Sequence, residues 1–75
     1  MDDVRLKIGQ RIKELREKAD MSQKDLAYAA DLDRSYIASI ENGQRNVSIV
    51  NIDKIAKALK VTLKDFFKDV KFDNN

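Results

Sequence analysis

The chain has 75 residues and no cysteine, histidine, tryptophan or proline, which bounds it to one small domain before any motif is read. The missing Cys and His remove thiol nucleophiles, disulfides, imidazole bases and the usual zinc or haem ligand sets, so no metal, no cofactor and no enzyme activity are expected. Fifteen Lys and Arg against 13 Asp and Glu leave a net charge of +2, too small by itself to single out a nucleic-acid binder.

A hydrophobic content of 43% can build a core. A domain this short still hides only about 60% of the surface its unfolded chain exposes, so partner contacts would add to its stability. Residues 1–20 hold no apolar stretch of the signal-peptide kind. The longest apolar run, Leu26-Ala27-Tyr28-Ala29-Ala30, falls far short of the roughly 18 residues of a membrane span. A cytoplasmic protein without membrane contact is the expectation.

With only two glycines and 37% charged residues interleaved with aliphatics, the composition is that of an all-helical domain. Ile8, Ile12, Leu15 and Ala19 recur at three- and four-residue intervals, which predicts an amphipathic helix over residues 3–19. Gly9 inside it costs about 1 kcal/mol relative to Ala and suggests a close helix approach near a frayed end. Ser22 followed by Asp25 has the form of a capping box and opens a second helix that runs to about Ala30, with Leu26 and Ala27 inward.

After Asp31-Leu32-Asp33, a third helix begins at Arg34 with Asp33 as its N-cap and ends at Gly43, which tolerates the left-handed conformation. Gln44, Arg45, Asn46 and Val47 form a loop to Ser48, the cap of a fourth helix with apolar positions Ile49, Ile52, Ile55, Ala56 and Leu59. Thr62 with Asp65 repeats the capping pattern for a fifth helix, where Leu63, Phe66, Phe67 and Val70 share a face. Residues 71–75 read as a frayed tail.

Two short helices joined by a tight turn, the second capped and closed by Glu41-Asn42-Gly43, make a helix-turn-helix over about residues 22–43. On the third helix Ile37 and Ile40 define a buried side, and Arg34, Ser35, Ala38, Ser39 and Asn42 the opposite one. Small polar residues let a helix enter a major groove about 12 Å wide, and an arginine near its N-terminal end can make a bidentate contact to guanine. The competing reading is an ordinary solvated helix face.

Residues 8–67 resemble the Cro and phage-repressor class of helix-turn-helix proteins, with a lambda-repressor-like five-helix fold. The resemblance is carried by Ile8-Gly9, Leu15-Arg16, Ser22-Gln23, Leu26-Ala27, Ile37, Glu41-Asn42-Gly43 and Ile55-Ala56-Lys57-Ala58-Leu59, with Val61 and Leu63. Within that class, Leu32-Asp33-Arg34-Ser35-Tyr36-Ile37 and Gln44-Arg45-Asn46-Val47-Ser48 are similar to the controller proteins of restriction-modification operons. The class usually has glycine where this chain has Asp31 and Lys60, and many relatives carry proline near Asn46-Val47.

This resemblance implies roles for individual residues. Gln23, Asn42, Arg45 and Asn46 would hold phosphates, and Arg34 and Ser35 would meet base edges, with Ser39 reaching them or acting as a spacer. Tyr36 is divided between a phosphate or thymine-methyl contact and a side chain leaning on the core. Asp33 could also buttress Arg34 or accept from cytosine N4. Arg16 matches the position that pairs with Glu41, a carboxylate bordering the buried face, against the alternative of two solvated charges.

A small domain does not easily bury every apolar residue of its last helices, so residues 48–70 are expected to form a dimer contact through Phe66, Phe67 and Val70. The alternative is that they close the monomer's own core. The partners implied are double-stranded DNA and a second copy of the chain, with RNA polymerase as a further candidate. The function this reading supports is a homodimeric transcription regulator acting on a near-palindromic operator, of the autoregulating controller kind. A phage-type or chromosomal repressor, or an antitoxin or other protein-binding module of the same fold, is the alternative.

Overall fold

The free N–H groups at the start of an α-helix need acceptors, and here four short side chains provide them. In the computed structural model, which describes residues 3–73, Asp3 accepts from the Arg5 N–H and opens α1, Val4–Lys18. Ser22 and Asp25 form a reciprocal capping box at α2, Gln23–Ala30, with both bonds at 2.9 Å. Ser48 accepts from the Asn51 N–H at the head of α4, Ile49–Ala58, and Thr62 from the Asp65 N–H at α5, Leu63–Phe66. The exception is α3, Arg34–Glu41: Asp33 is its N-cap, as expected, with extended geometry, but its side chain makes no capping bond.

The first four helices all end on a left-handed residue, at Asp31 in the C-cap of α2 and one residue past the C-cap at Asp20, Gly43 and Lys60, with φ between 58° and 74°. The next N–H then reaches back to close the last turn: Met21 to Arg16 O, Leu32 to Ala27 O, Gln44 to Ser39 O and Val61 to Ala56 O. Only Gly43 adopts this geometry without a Cβ penalty, which for other residues is about 1–2 kcal/mol.

The core is a single cluster in which Ile12, Leu26, Ile37, Ile40, Ile55 and Phe66 are fully buried. Each such side chain contributes roughly 1.5–3 kcal/mol through removal from water. Helix α3 packs on α1 and α2, α2 also packs on α4, and α5 on α4. No strand occurs among the described residues. At the α1–α3 crossing a methyl group on Gly9 would run into the carbonyl oxygens of Ile40 and Glu41. Gly9 is therefore a close-approach residue, but one well inside α1 rather than at a frayed end.

Three expectations about the C-terminal third need correction. Ile49, read as an inward position of the fourth helix, is 79% exposed, because the first turn of α4 projects beyond the core that Ile52 and Ile55 fill. The fifth helix is one turn long, so the shared face drawn through Val70 stops at Phe66. Nor is Lys71 part of a frayed tail: Val70–Phe72 form a 3-10 turn, and the Lys71 ammonium bonds Asp69 at 2.9 Å and Glu14 of α1 at 3.0 Å.

Candidate nucleic-acid interface

The position of α3 is set from below by an ion pair. Arg16 on α1 grips the Glu41 carboxylate with two nitrogens, Nε at 2.8 Å and a terminal nitrogen at 3.1 Å, a fork-on-fork geometry. The Glu41 side chain is 3% exposed and that of Arg16 12%. A third guanidinium nitrogen donates to the Met21 carbonyl at 2.8 Å, which ties the α1–α2 turn into the same joint. Hydrogen bonding to Glu41 raises the pKa of Arg16, outweighing the opposing effect of burial. The pair joins three elements and leaves the outer face of α3 unencumbered.

That outer face carries Arg34, Ser35 and Asn42, all exposed, while Ala38 and Ser39 are half-buried. The Arg34 side chain makes no hydrogen bond or ion pair among the described residues, so its guanidinium is available to a ligand. Ser39 sits lower in the surface than Arg34 and Ser35. Gln23, assigned to a phosphate, is half-buried, and its Nε2 donates to Glu41 Oε1 at 3.1 Å. Its amide thus pins the start of α2 to the end of α3.

The loop between α3 and α4 flanks this face. Asn42, Arg45 and Asn46 are exposed along it. Gly43 brings the chain hard against Leu6 of α1, where any side chain would meet the Leu6 methyls. The Arg45 guanidinium carbon lies 5.6 Å from the centroid of the Tyr36 ring, a cation–π contact of about 0.5–1 kcal/mol at an exposed site. Tyr36 itself is half-buried against the core, and its hydroxyl accepts a hydrogen bond from Asn51 Nδ2 at 2.9 Å. Of the two alternatives weighed for Tyr36, the ring leaning on the core is the one the fold shows, with the hydroxyl bonded at its edge.

The residues expected at a dimer contact do not share one surface. Phe66 is 0% exposed, so it belongs wholly to the monomer core and cannot form a surface contact. Phe67 remains 38% exposed and stacks edge-on between Phe66 and Phe72, at centroid distances of 4.9 and 5.2 Å. The side chain of Val70 lies outside the described ones. Leu63 and, at the head of α4, Ile49 and Val50 are large apolar side chains left exposed.

Arg11 escaped the sequence reading altogether. It is buried on α1, and its guanidinium donates to the backbone carbonyls of Phe66 at 2.7 Å and Asp65 at 2.8 Å. A weaker reach to Asp69 at 3.4 Å completes the clasp on the C-terminal segment. Among the described residues no helix is long and apolar enough to cross a membrane, and no acidic cluster is placed to hold a metal ion.

Residues 12–66 match the helix-turn-helix family. The chain is 49% identical over 71 residues to the control protein C.MunI of a Mycoplasma species, an alignment that covers 93% of this chain and 96% of that protein. Among solved structures it resembles the restriction-modification controller protein C.AhdI from Aeromonas hydrophila, with a TM-score of 0.81 and 49% identity over 84% of this chain and 96% of that one. It also resembles the controller protein C.Esp1396I, crystallised as a tetramer with its natural 35 base-pair operator, with a TM-score of 0.85 and 38% identity over 91% of this chain and 90% of that one. By sequence and by fold the chain belongs to the helix-turn-helix family and, within it, to the restriction-modification control proteins.

Proposed function

We propose that this protein is a sequence-specific DNA-binding transcription regulator that acts as a homodimer on a near-palindromic operator and controls a restriction-modification operon that includes its own gene. The observation that carries this reading is the outer face of α3, where an unpaired Arg34 and Ser35 stand exposed at the N-terminal turn of a helix locked underneath by Arg16 and Glu41. In this reading Arg34 and Ser35 meet base edges, with Ser39 in support. Asn42, Arg45, Asn46 and the Tyr36 hydroxyl hold phosphates and so fix the register. Gln23 contributes through the second amide hydrogen that its bond to Glu41 leaves over.

The twofold contact is formed by Phe67, with Leu63, Ile49 and Val50 taking the place first given to Phe66. Exposed apolar side chains of this size are characteristic of association surfaces. Two recognition helices related by the dimer axis then address half-sites about one helical turn apart. Operator occupancy then follows the protein's own concentration, because dimer formation rises as the square of monomer at low levels. It works in the compartment that holds its operator, the cytoplasm, and activation would add a contact to RNA polymerase.

A genomic selection for bound DNA followed by footprinting upstream of the protein's own gene tests this. Paired, near-palindromic protected sites next to that promoter are expected. Protection confined to distant promoters would contradict autoregulation and leave a general repressor of the same fold.

A further inference from the structure

Charge gathers where the C-terminal segment meets α1. Arg11 donates to the Phe66 and Asp65 carbonyls at 2.7 and 2.8 Å and, more loosely, to one Asp69 carboxylate oxygen at 3.4 Å. Lys71 bonds the other Asp69 oxygen at 2.9 Å and reaches Glu14 on α1 at 3.0 Å. Glu14 in turn faces Arg11 at 3.5 Å. Two cations and two carboxylates therefore alternate around a closed ring, in which only Glu14 is largely open to solvent. An isolated surface pair contributes little, but several charges held in one network fix a geometry.

This ring holds a segment that could not hold itself. Helix α5 has four residues, well below the length at which a helix repays its nucleation, so its shape comes from tertiary contacts. Phe67 stands in the middle of the held stretch. Its ring is edge-on to Phe66, whose carbonyl Arg11 grips, and to Phe72, the neighbour of Lys71 in the chain. The direction of the exposed Phe67 side chain is thus set from both sides by residues that the charges anchor. A surface ordered in advance associates more tightly, because less freedom is lost when a partner arrives.

We propose that Arg11, Glu14, Asp69 and Lys71 are positioning residues for self-association: together they hold residues 65–72 in the shape that presents Phe67 to a second copy of the chain. This rests on the reading of Phe67 as part of the twofold contact and adds to it four residues that act without lying in that contact. The result is an apolar seam whose strength depends on charges behind it.

A double-mutant cycle on dimer formation tests it, by sedimentation equilibrium of the full chain without DNA, with Lys71→Ala, Phe67→Leu and the pair. Lys71→Arg, which keeps the charge, serves as the conservative variant. Thermal unfolding of each reports separately on the fold. Lys71→Ala is expected to weaken the dimer about three- to tenfold, the equivalent of one net hydrogen bond, and Lys71→Arg to restore most of that. In the Phe67→Leu background the same change should cost less than about twofold, because the side chain it positions is gone. Raising NaCl from about 0.1 to about 1 M, which shortens the screening length from roughly 10 to 3 Å, should weaken the unmutated dimer more than that of Lys71→Ala. Equal losses in both backgrounds would mean that Lys71 touches the partner directly or acts only through the fold, and would overturn the proposal. If Phe67→Leu leaves the dimer unchanged, the reading of the twofold contact fails and the proposal with it; if Phe67→Leu weakens the dimer but Lys71→Ala does not, the role given to the charges fails alone.

Discussion

Two arginines five positions apart on α1 hold the two ends of this molecule, and they do so differently. Arg16 grips a carboxylate, Glu41, and so carries α3 and its exposed face. Arg11 grips backbone carbonyls at the end of α5, those of Phe66 and Asp65, and so carries the C-terminal segment. The first joint is a charge against a charge, the second a charge against the negative end of a helical turn. The difference lies in what is stranded when each is broken: a buried carboxylate in one case, partly buried carbonyl groups in the other.

Breaking the first joint should have the larger effect. Arg16→Ala leaves Glu41 buried with only Gln23 as donor and is expected to destabilise the fold by about 3–5 kcal/mol in urea unfolding. A loss below ~0.5 kcal/mol would show that the pair is no more than a surface bridge. For the second joint, Arg11→Ala removes the donors to two carbonyls, which predicts a loss of about 2–3 kcal/mol. Hydrogen exchange of the 63–72 amides should speed up more than that of α3, and uniform acceleration would mean that the two joints are not separate.

Smaller changes sharpen the contrast. Lys60 holds a left-handed φ of 61° between α4 and α5, so Lys60→Gly should relieve strain and raise stability by up to about 1 kcal/mol, the gain being offset in part by the freer unfolded chain. A decrease would mean that the lysine side chain matters to the junction. The smallest effect is the pH response of the Arg11 clasp. Asp69 is held below the ordinary carboxylate range first by the Lys71 backbone N–H and then by its ammonium. Its stabilising contribution is therefore complete above the usual value of about 3.9 and is lost as the pH falls through the lowered one. An NMR titration of the Asp69 carboxyl should find its midpoint below that of a free aspartate, and an ordinary midpoint would contradict the contact.

The same contrast explains what could be read from the sequence. Arg16 and Glu41 are both side chains, so their pairing leaves two letters to find. The partners of Arg11 are carbonyls that any residue supplies, and nothing marks them. Helix starts were legible because Ser22, Ser48 and Thr62 cap through their own hydroxyls. A residue type announces the helix end only at Gly43, since Asp20, Asp31 and Lys60 adopt the same left-handed turn without a glycine.

Phe66 and Phe67 show where periodicity runs out. Once α5 ends after a single turn, adjacent aromatics part company, one into the core and one toward solvent. Arg34 and Ser35 were legible as an exposed N-terminal turn because Ile37 and Ile40 fix the opposite side of the same helix. The bond from Asn51 to Tyr36 was not, because the two lie on different helices, 15 residues apart in the chain.

The decisive measurement is the affinity of Arg34→Ala for operator and for random DNA, side by side and at the same salt concentration. If the outer face of α3 reads base edges, operator binding weakens by about 1–3 kcal/mol while binding to random DNA stays nearly unchanged. An equal loss on both would reduce Arg34 to a phosphate contact, and no loss on either would place the reading of sequence elsewhere on the molecule.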